Sequence, residues 1–80
     1  MAERRLANRL KEARARHGLT QGELAARVGV SRKTINTVEN GVFVPSTTLA
    51  LALAEALEVR VEELFYLEPK GRPLTDSALP

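Results

Sequence analysis

Between Leu19 and Gly41 the sequence permits little besides two short helices joined by a tight turn. Thr20 and Glu23 stand at the spacing of a capping box, flanked by Leu19 and Leu24 as a hydrophobic staple. The helix so begun ends at Val28, because Gly29 accepts a positive φ at no steric cost. Ser31 caps the next helix, Val30 and Ile35 form its staple, and Asn40-Gly41 closes it. Ala25 supplies the small side chain needed where the two helices cross, and Leu24, Val28, Val30, Ile35 and Val38 are apolar where the pair must face inward. Together these positions specify a helix-turn-helix at residues 21–40 far more tightly than any single dipeptide could.

Helical signals dominate elsewhere. Leu6, Leu10 and Ala13 recur at helical spacing and Gly18 offers a left-handed stop, which predicts a first helix over Glu3–His17. After a loop at Val42–Pro45, Ser46 caps a fourth helix over Thr47–Leu57. A short fifth helix begins at Val61, with Glu62 and Glu63 in the first turn where the dipole favours acids, and reaches Phe65 or a little further. No segment shows strand-like alternation. The expectation is an all-α, compact five-helix domain in residues 1–67. An extended or disordered tail follows over 68–80, where Pro69, Gly71, Pro73 and Pro80 stand.

Size and composition narrow the function. Eighty residues support one compact core. With no cysteine and His17 alone, disulfides, thiolate sites and multi-histidine metal sites are excluded, and no cofactor is expected. His17 reads as a charge-compatible residue at the end of helix 1. There is no Gly-rich phosphate loop and no evident pair of carboxylates in a pocket, so catalysis is not expected. The longest pure apolar run, Leu49–Ala54, falls far short of the roughly 20 residues of a membrane span. Glu3, Arg4 and Arg5 are unlike the apolar core of a signal peptide. The formal net charge is only +2, but it is unevenly placed. Residues 1–33 hold nine bases and three acids, and residues 34–80 three bases and seven acids. Such a field turns the N-terminal half, with Arg4 and Arg5, toward a polyanion.

The third helix can be read by angle, at about 100° per residue. With Ile35 and Val38 facing the core, Lys33, Asn36, Thr37 and Asn40 spread over the opposite side, and Arg32 lies beside them at the N-terminal end. No acid shares that face. Arg and Lys reach guanine O6 and N7, Asn pairs with adenine, and a Thr methyl meets a thymine methyl. Arg32, Lys33, Asn36 and Thr37 are therefore the candidates for reading bases. Glu39 points toward the buried side, where an acid needs a partner. Arg14, at the edge of the apolar face of helix 1, is the expected one.

At these residues the chain resembles the Xre / lambda-repressor-like (Cro-type) helix-turn-helix family of phage and prokaryotic regulators. The matching phrases are Gly18-Leu19-Thr20-Gln21, Glu23-Leu24-Ala25, Gly29-Val30-Ser31, Ile35, Val38-Glu39-Asn40-Gly41, Pro45-Ser46, Ala56-Leu57 and Val61-Glu62-Glu63-Leu64-Phe65. The resemblance implies a five-helix domain that lays helix 3 in the major groove, as a homodimer on a palindromic operator, in a prokaryotic or phage-infected cytoplasm. It implies that Thr20 and Gln21, opening helix 2, meet DNA phosphate, that Asn40 holds the backbone beyond helix 3, and that Arg14 pairs with Glu39. Three positions depart from the pattern. Glu58 stands where many relatives have a glycine ending helix 4, so that helix is expected to end differently. Arg60 replaces the small polar cap of helix 5, which weakens that cap. Arg32 stands where some relatives have an amide braced by the counterpart of Gln21, so the bracing is expected to give way to a direct phosphate or guanine contact.

The function expected is that of a sequence-specific double-stranded DNA-binding transcriptional regulator, a repressor. The alternative is an antitoxin-type protein-interaction module that meets a protein partner through the C-terminal tail and also binds its own promoter. Helix 4 is apolar over most of its circumference, more than a core-facing helix needs. That surplus predicts a two-fold homodimer with Leu49, Ala52 and Ala56 in the contact and recognition helices about 34 Å apart. The competing explanation is that Leu67, Leu74 or Leu79 folds back over this surface.

Overall fold

A computed structural model describes residues 4–69. The elements follow in the order β1 (Leu6–Asn8), α1 (Leu10–Arg16), α2 (Gln21–Val28), α3 (Arg32–Glu39), α4 (Thr47–Ala56), α5 (Val61–Leu64) and β2 (Phe65–Leu67). The five helices enclose a core in which Leu10, Leu24, Ile35, Leu53 and Leu57 are wholly buried and Val38 and Leu64 nearly so. This is the expected five-helix arrangement, with Ala25 of α2 buried and the turn from α2 to α3 made by Gly29 at φ 78°.

The caps explain the helix boundaries. The Thr20 hydroxyl accepts from the Glu23 amide at 3.0 Å, and the Glu23 carboxylate accepts from the Thr20 amide at 2.8 Å. Ser31 accepts from the Thr34 amide and Ser46 from the Leu49 amide, each at 3.1 Å. Each hydroxyl satisfies one amide that the first helical turn leaves without a partner.

The N-terminal boundary differs from expectation. Residues 6–8 are a strand, and α1 starts only at Leu10. β1 pairs antiparallel with β2, Leu6 opposite Leu67 and Asn8 opposite Phe65. Leu6 packs against the core from this strand, so a spacing that mimics a helical period joins two different elements. Asn8 marks the break. Its Oδ1 accepts from the Leu10 amide at 3.0 Å, and the Arg9 amide donates to Leu64 O at 2.8 Å instead of to a preceding turn. For the same reason α5 stops at Leu64 and Phe65 opens the strand. The ribbon runs on to Glu68, whose amide donates to Arg5 O at 2.8 Å, one residue past the expected edge of the folded part. The rest of the expected tail, from residue 70, lies outside the described residues, as do residues 1–3.

The end of α4 also departs from expectation. Glu58 takes the left-handed conformation itself, at φ 58°. The Val59 amide closes the turn on Ala54 O at 3.0 Å, the bond of a Schellman cap. Packing of Leu57 and Val59 on the core requires this turn, and a residue with a Cβ bears its strain. At α5, Arg60 provides no side-chain cap, and the Glu63 carboxylate takes the Arg60 amide at 3.0 Å. The Arg60 guanidinium pairs with Glu62 at 2.7 Å, in full solvent, where such a pair contributes little.

One ion pair joins the helices internally. Arg14 Nε lies 2.6 Å from Glu39 Oε2, with side chains only 15% and 5% exposed, and Arg14 Nη2 donates to Glu39 Oε1 at 3.3 Å. Arg14 Nη1 also donates to Leu19 O at 2.9 Å, tying the α1–α2 turn into the same group. The bond to Glu39 raises the guanidinium pKa above its usual value, against the opposing effect of burial and with the carboxylate charge adding to it.

Two stability measurements follow from this architecture. Glu39→Ala leaves Arg14 nearly buried without its counter-ion and should cost about 3 kcal/mol in urea unfolding, while a double-mutant cycle with Arg14→Ala should show strong coupling. Coupling near zero would mean that the pair does not hold the helices. Glu58→Gly relieves the left-handed strain and should stabilise by up to about 1 kcal/mol, the gain being reduced by glycine's greater freedom in the unfolded chain. A loss of stability would show that relief of the left-handed backbone is worth less than glycine's freedom in the unfolded chain costs.

Candidate nucleic-acid interface

Ile35 and Val38 fasten α3 to the core, and its other side faces solvent. Arg32, Lys33, Asn36 and Asn40 are exposed there and Thr37 is half-buried. The Thr37 hydroxyl turns back on its own helix, donating to the Thr34 and Lys33 carbonyls at 3.0 and 3.1 Å, so what Thr37 presents outward is its methyl group. Asn40 Nδ2 donates to Asn36 Oδ1 at 3.3 Å, which steadies the Asn36 amide with its donor end free. The exposed face holds two cations and two amides and no acid.

At the N-terminal end, Gln21 joins α2 to both ends of α3. Its Nε2 donates to Glu39 Oε1 at 3.0 Å and its Oε1 accepts from Arg32 Nη1 at 3.4 Å. The bracing that was expected to give way to a direct phosphate or guanine contact is therefore kept, with the Arg32 guanidinium as the donor to Gln21. Gly22, in the first turn of α2, lies under the Arg32 side chain. A Cβ there would lie 3.8 Å from Arg32 Cδ, so the aliphatic stem of Arg32 runs close over the first turn of α2. Thr20 is exposed beside it, with its oxygen engaged in the cap and its hydroxyl proton available to an outside acceptor.

Arg4 and Arg5 are exposed and enter from the ribbon, not from a helix. Arg4 Nε donates to Glu68 O at 3.0 Å. Asn8 joins this ribbon to the end of α3, its Nδ2 donating to Val38 O at 3.0 Å. Nothing in local spacing marks Asn8 for this role, since its partner is 30 residues away. Arg9, next in sequence, lies 4.4 Å from the centre of the Tyr66 ring, a cation–π contact across the ribbon. His17 also has a partner the sequence did not show: its Nε2 lies 2.7 Å from Leu57 O, linking the end of α1 to the end of α4.

The residues named for a dimer contact divide. Leu49 and Ala56 are half-buried against the core. Ala52 is half-buried and, with Ala56, lines an open groove beside Arg27, Val28 and Glu55. Leu51 is 54% exposed. Among the described residues no helix is long and apolar enough to cross a membrane.

Comparison with known proteins agrees with this geometry. A helix-turn-helix family model matches residues 10–64. The chain is 43% identical over 64 residues to the uncharacterized HTH-type transcriptional regulator YgzD of Bacillus subtilis, covering 80% of this chain and 97% of that one. It is 46% identical over 61 residues to an uncharacterized HTH-type transcriptional regulator of Methanocaldococcus jannaschii, covering 76% and 92%. Among solved structures it is similar to the restriction-modification controller protein C.AhdI from Aeromonas hydrophila, with TM-score 0.65 and 38% identity over 69% of this chain and 80% of that one. With a fold of five helices, a polar cationic α3 and these relatives, the chain belongs to the Xre/Cro-like helix-turn-helix family of DNA-binding transcriptional regulators.

Proposed function

We propose that the protein is a cytoplasmic repressor that inserts α3, about residues 32–40, into the major groove of a palindromic operator as a homodimer. The observation that carries this reading is the acid-free outer face of α3, headed by an arginine that Gln21 holds in place. In this reading Arg32, Lys33 and Asn36 bond base edges and the Thr37 methyl packs on thymine. Thr20, Gln21 and Asn40, with Arg4 and Arg5 from the ribbon, meet phosphates at the flanks. The DNA-binding body in this reading comprises the five helices and the ribbon as far as Glu68. A two-fold operator matches a two-fold protein, and the α4 side at Leu49, Ala52 and Ala56 contributes to the contact through its accessible part, Ala52 and the adjoining Leu51.

A second reading is favoured by one relative. The chain is 37% identical over 54 residues to the antitoxin HipB of Escherichia coli, covering 68% of this chain and 57% of that one. A protein partner held by the C-terminal tail, alongside promoter binding, would suit an antitoxin.

Selection of bound duplexes from a random pool tests the base-reading assignment. Lys33→Ala and Asn36→Ala should each lose about 1–3 kcal/mol of preference at one or two base positions. Gln21→Ala should weaken binding to all sequences. Unchanged preferences for both α3 variants would remove α3 from the major groove. Salt titration offers an independent check. Affinity should fall steeply with ionic strength, and Arg5→Ala should lower the slope by about one. A flat dependence would mean that the positive half of the chain does not face DNA.

A further inference from the structure

We infer that α3 reads its operator with hydrogen-bond donors and a methyl group alone, so that the base edges it meets are the acceptors of guanine and thymine and not the amino groups of adenine and cytosine. The inference rests on the DNA-binding reading and names the operator chemistry that this face selects. Four side chains make up the base-reading part of the face: Arg32, Lys33, Asn36 and Thr37. Arg32 and Lys33 carry donors and no acceptor in any conformation. The other two carry oxygen atoms, and what they offer depends on where those oxygens are engaged.

The Thr37 hydroxyl donates to the Thr34 and Lys33 carbonyls at 3.0 and 3.1 Å, which leaves the methyl group outward. Asn36 Oδ1 accepts from Asn40 Nδ2 at 3.3 Å, so its Nδ2 is the end that an outside group meets. An asparagine reads adenine with both ends of its amide, the oxygen accepting from N6 while the nitrogen donates to N7. With the oxygen held by Asn40, the nitrogen alone is offered, and its partners are guanine O6 or N7 and thymine O4. The nearby acceptors on α2 and α3 are engaged inward. Gln21 Oε1 accepts from Arg32 Nη1 at 3.4 Å, and the Glu39 carboxylate, 5% exposed, holds Arg14 and Gln21. Among the described residues Arg32 Nε and Nη2, the same parallel pair with which Arg14 holds Glu39, carry no other bond and remain for a guanine. Asn40, whose own oxygen is an acceptor, is the C-cap of α3 and stands beyond the base readers, where the proposed function places phosphate.

The major groove turns this polarity into sequence. Guanine presents two acceptors, O6 and N7, and thymine an acceptor beside a methyl group. Adenine and cytosine each present an amino donor. A donor set against an amino group leaves both without an acceptor and out of water, so the face rejects those edges through unmet bonds. Adenine N7 can still take a donor, but guanine has the same atom, so adenine is not selected over guanine there. The half-site that satisfies α3 therefore has guanine opposite Arg32 and Lys33, thymine opposite Thr37, and guanine or thymine opposite Asn36. Helical spacing alone would have allowed Asn36 an adenine, and the bond from Asn40 removes it.

The test uses the full chain and a duplex that the wild type selects from a random pool. Single base analogues are then placed through the selected site. Deazaguanine removes N7 from guanine, purine removes the amino group from adenine, and uracil removes the methyl group from thymine. Deazaguanine should weaken wild-type binding about tenfold at one position or more, and the loss should be absent in Arg32→Ala or Lys33→Ala. Uracil should weaken it several-fold at a position where Thr37→Ser binds both bases alike, since serine keeps the hydroxyl and lacks the methyl group. Purine also loosens the pair with thymine, so its effect is compared between the wild type and Asn36→Ala, and equal effects are expected at every adenine. A purine penalty above about threefold in the wild type that disappears in Asn36→Ala means that Asn36 accepts from adenine N6. That result overturns the inference and leaves the DNA-binding reading in place. Indifference to deazaguanine and uracil at every position overturns it as well. A chain that selects no duplex overturns both.

Discussion

Glu39 is the acid on which the arrangement of the first three helices depends. Its side chain is 5% exposed, and a carboxylate taken so far from water is costly unless its oxygens are engaged. Arg14 reaches it from α1 through two nitrogens and Gln21 from α2 through its amide. These donors come from different helices, so the carboxylate is satisfied only when α1, α2 and α3 hold their relative positions. Apolar packing by Leu10, Leu24, Ile35 and Val38 supplies the driving force but tolerates small rotations. The charged group does not, because its bonds are directional.

The same group extends to the surface. Gln21 accepts from Arg32 with the oxygen of the amide whose nitrogen serves Glu39. An unbroken chain of hydrogen bonds therefore runs from Arg14 in the interior to the first residue of α3. Arg32 would otherwise be a long, exposed side chain with many rotamers. Held in this way, it loses less freedom on meeting a phosphate or a guanine.

At the other side of the molecule the chain's described ends are fastened to the helical body. The β1–β2 ribbon pairs residues 6–8 with 65–67, Asn8 bonds the last turn of α3, and Arg9 both caps onto Leu64 O and lies over Tyr66. His17 closes a further link, from the end of α1 to the end of α4. The cationic ribbon residues Arg4 and Arg5 thus belong to the same structural unit as α3.

Local chemistry was enough to read the helix-turn-helix from the sequence. The Thr20–Glu23 box, Gly29, Ser31 and the inward apolar positions act within a few residues of one another, so their meaning does not depend on the remainder of the chain. The outer face of α3 was legible for the same reason, since helical period alone separates Ile35 and Val38 from Lys33, Asn36 and Thr37. Contacts between residues far apart were not legible. Leu6 has the spacing of a helical residue and becomes a strand because Phe65–Leu67 offers it a hydrogen-bonding edge. Glu58 has the wrong side chain for a left-handed turn and adopts one because Leu57 and Val59 must both reach the core. Arg32 looked free to contact DNA unaided and is bound to Gln21, 11 positions away. Helix boundaries and faces follow from the nearest neighbours in sequence. Strand pairing, backbone strain and the bracing of the α3 face follow from which surfaces remain to be satisfied once the helices have packed.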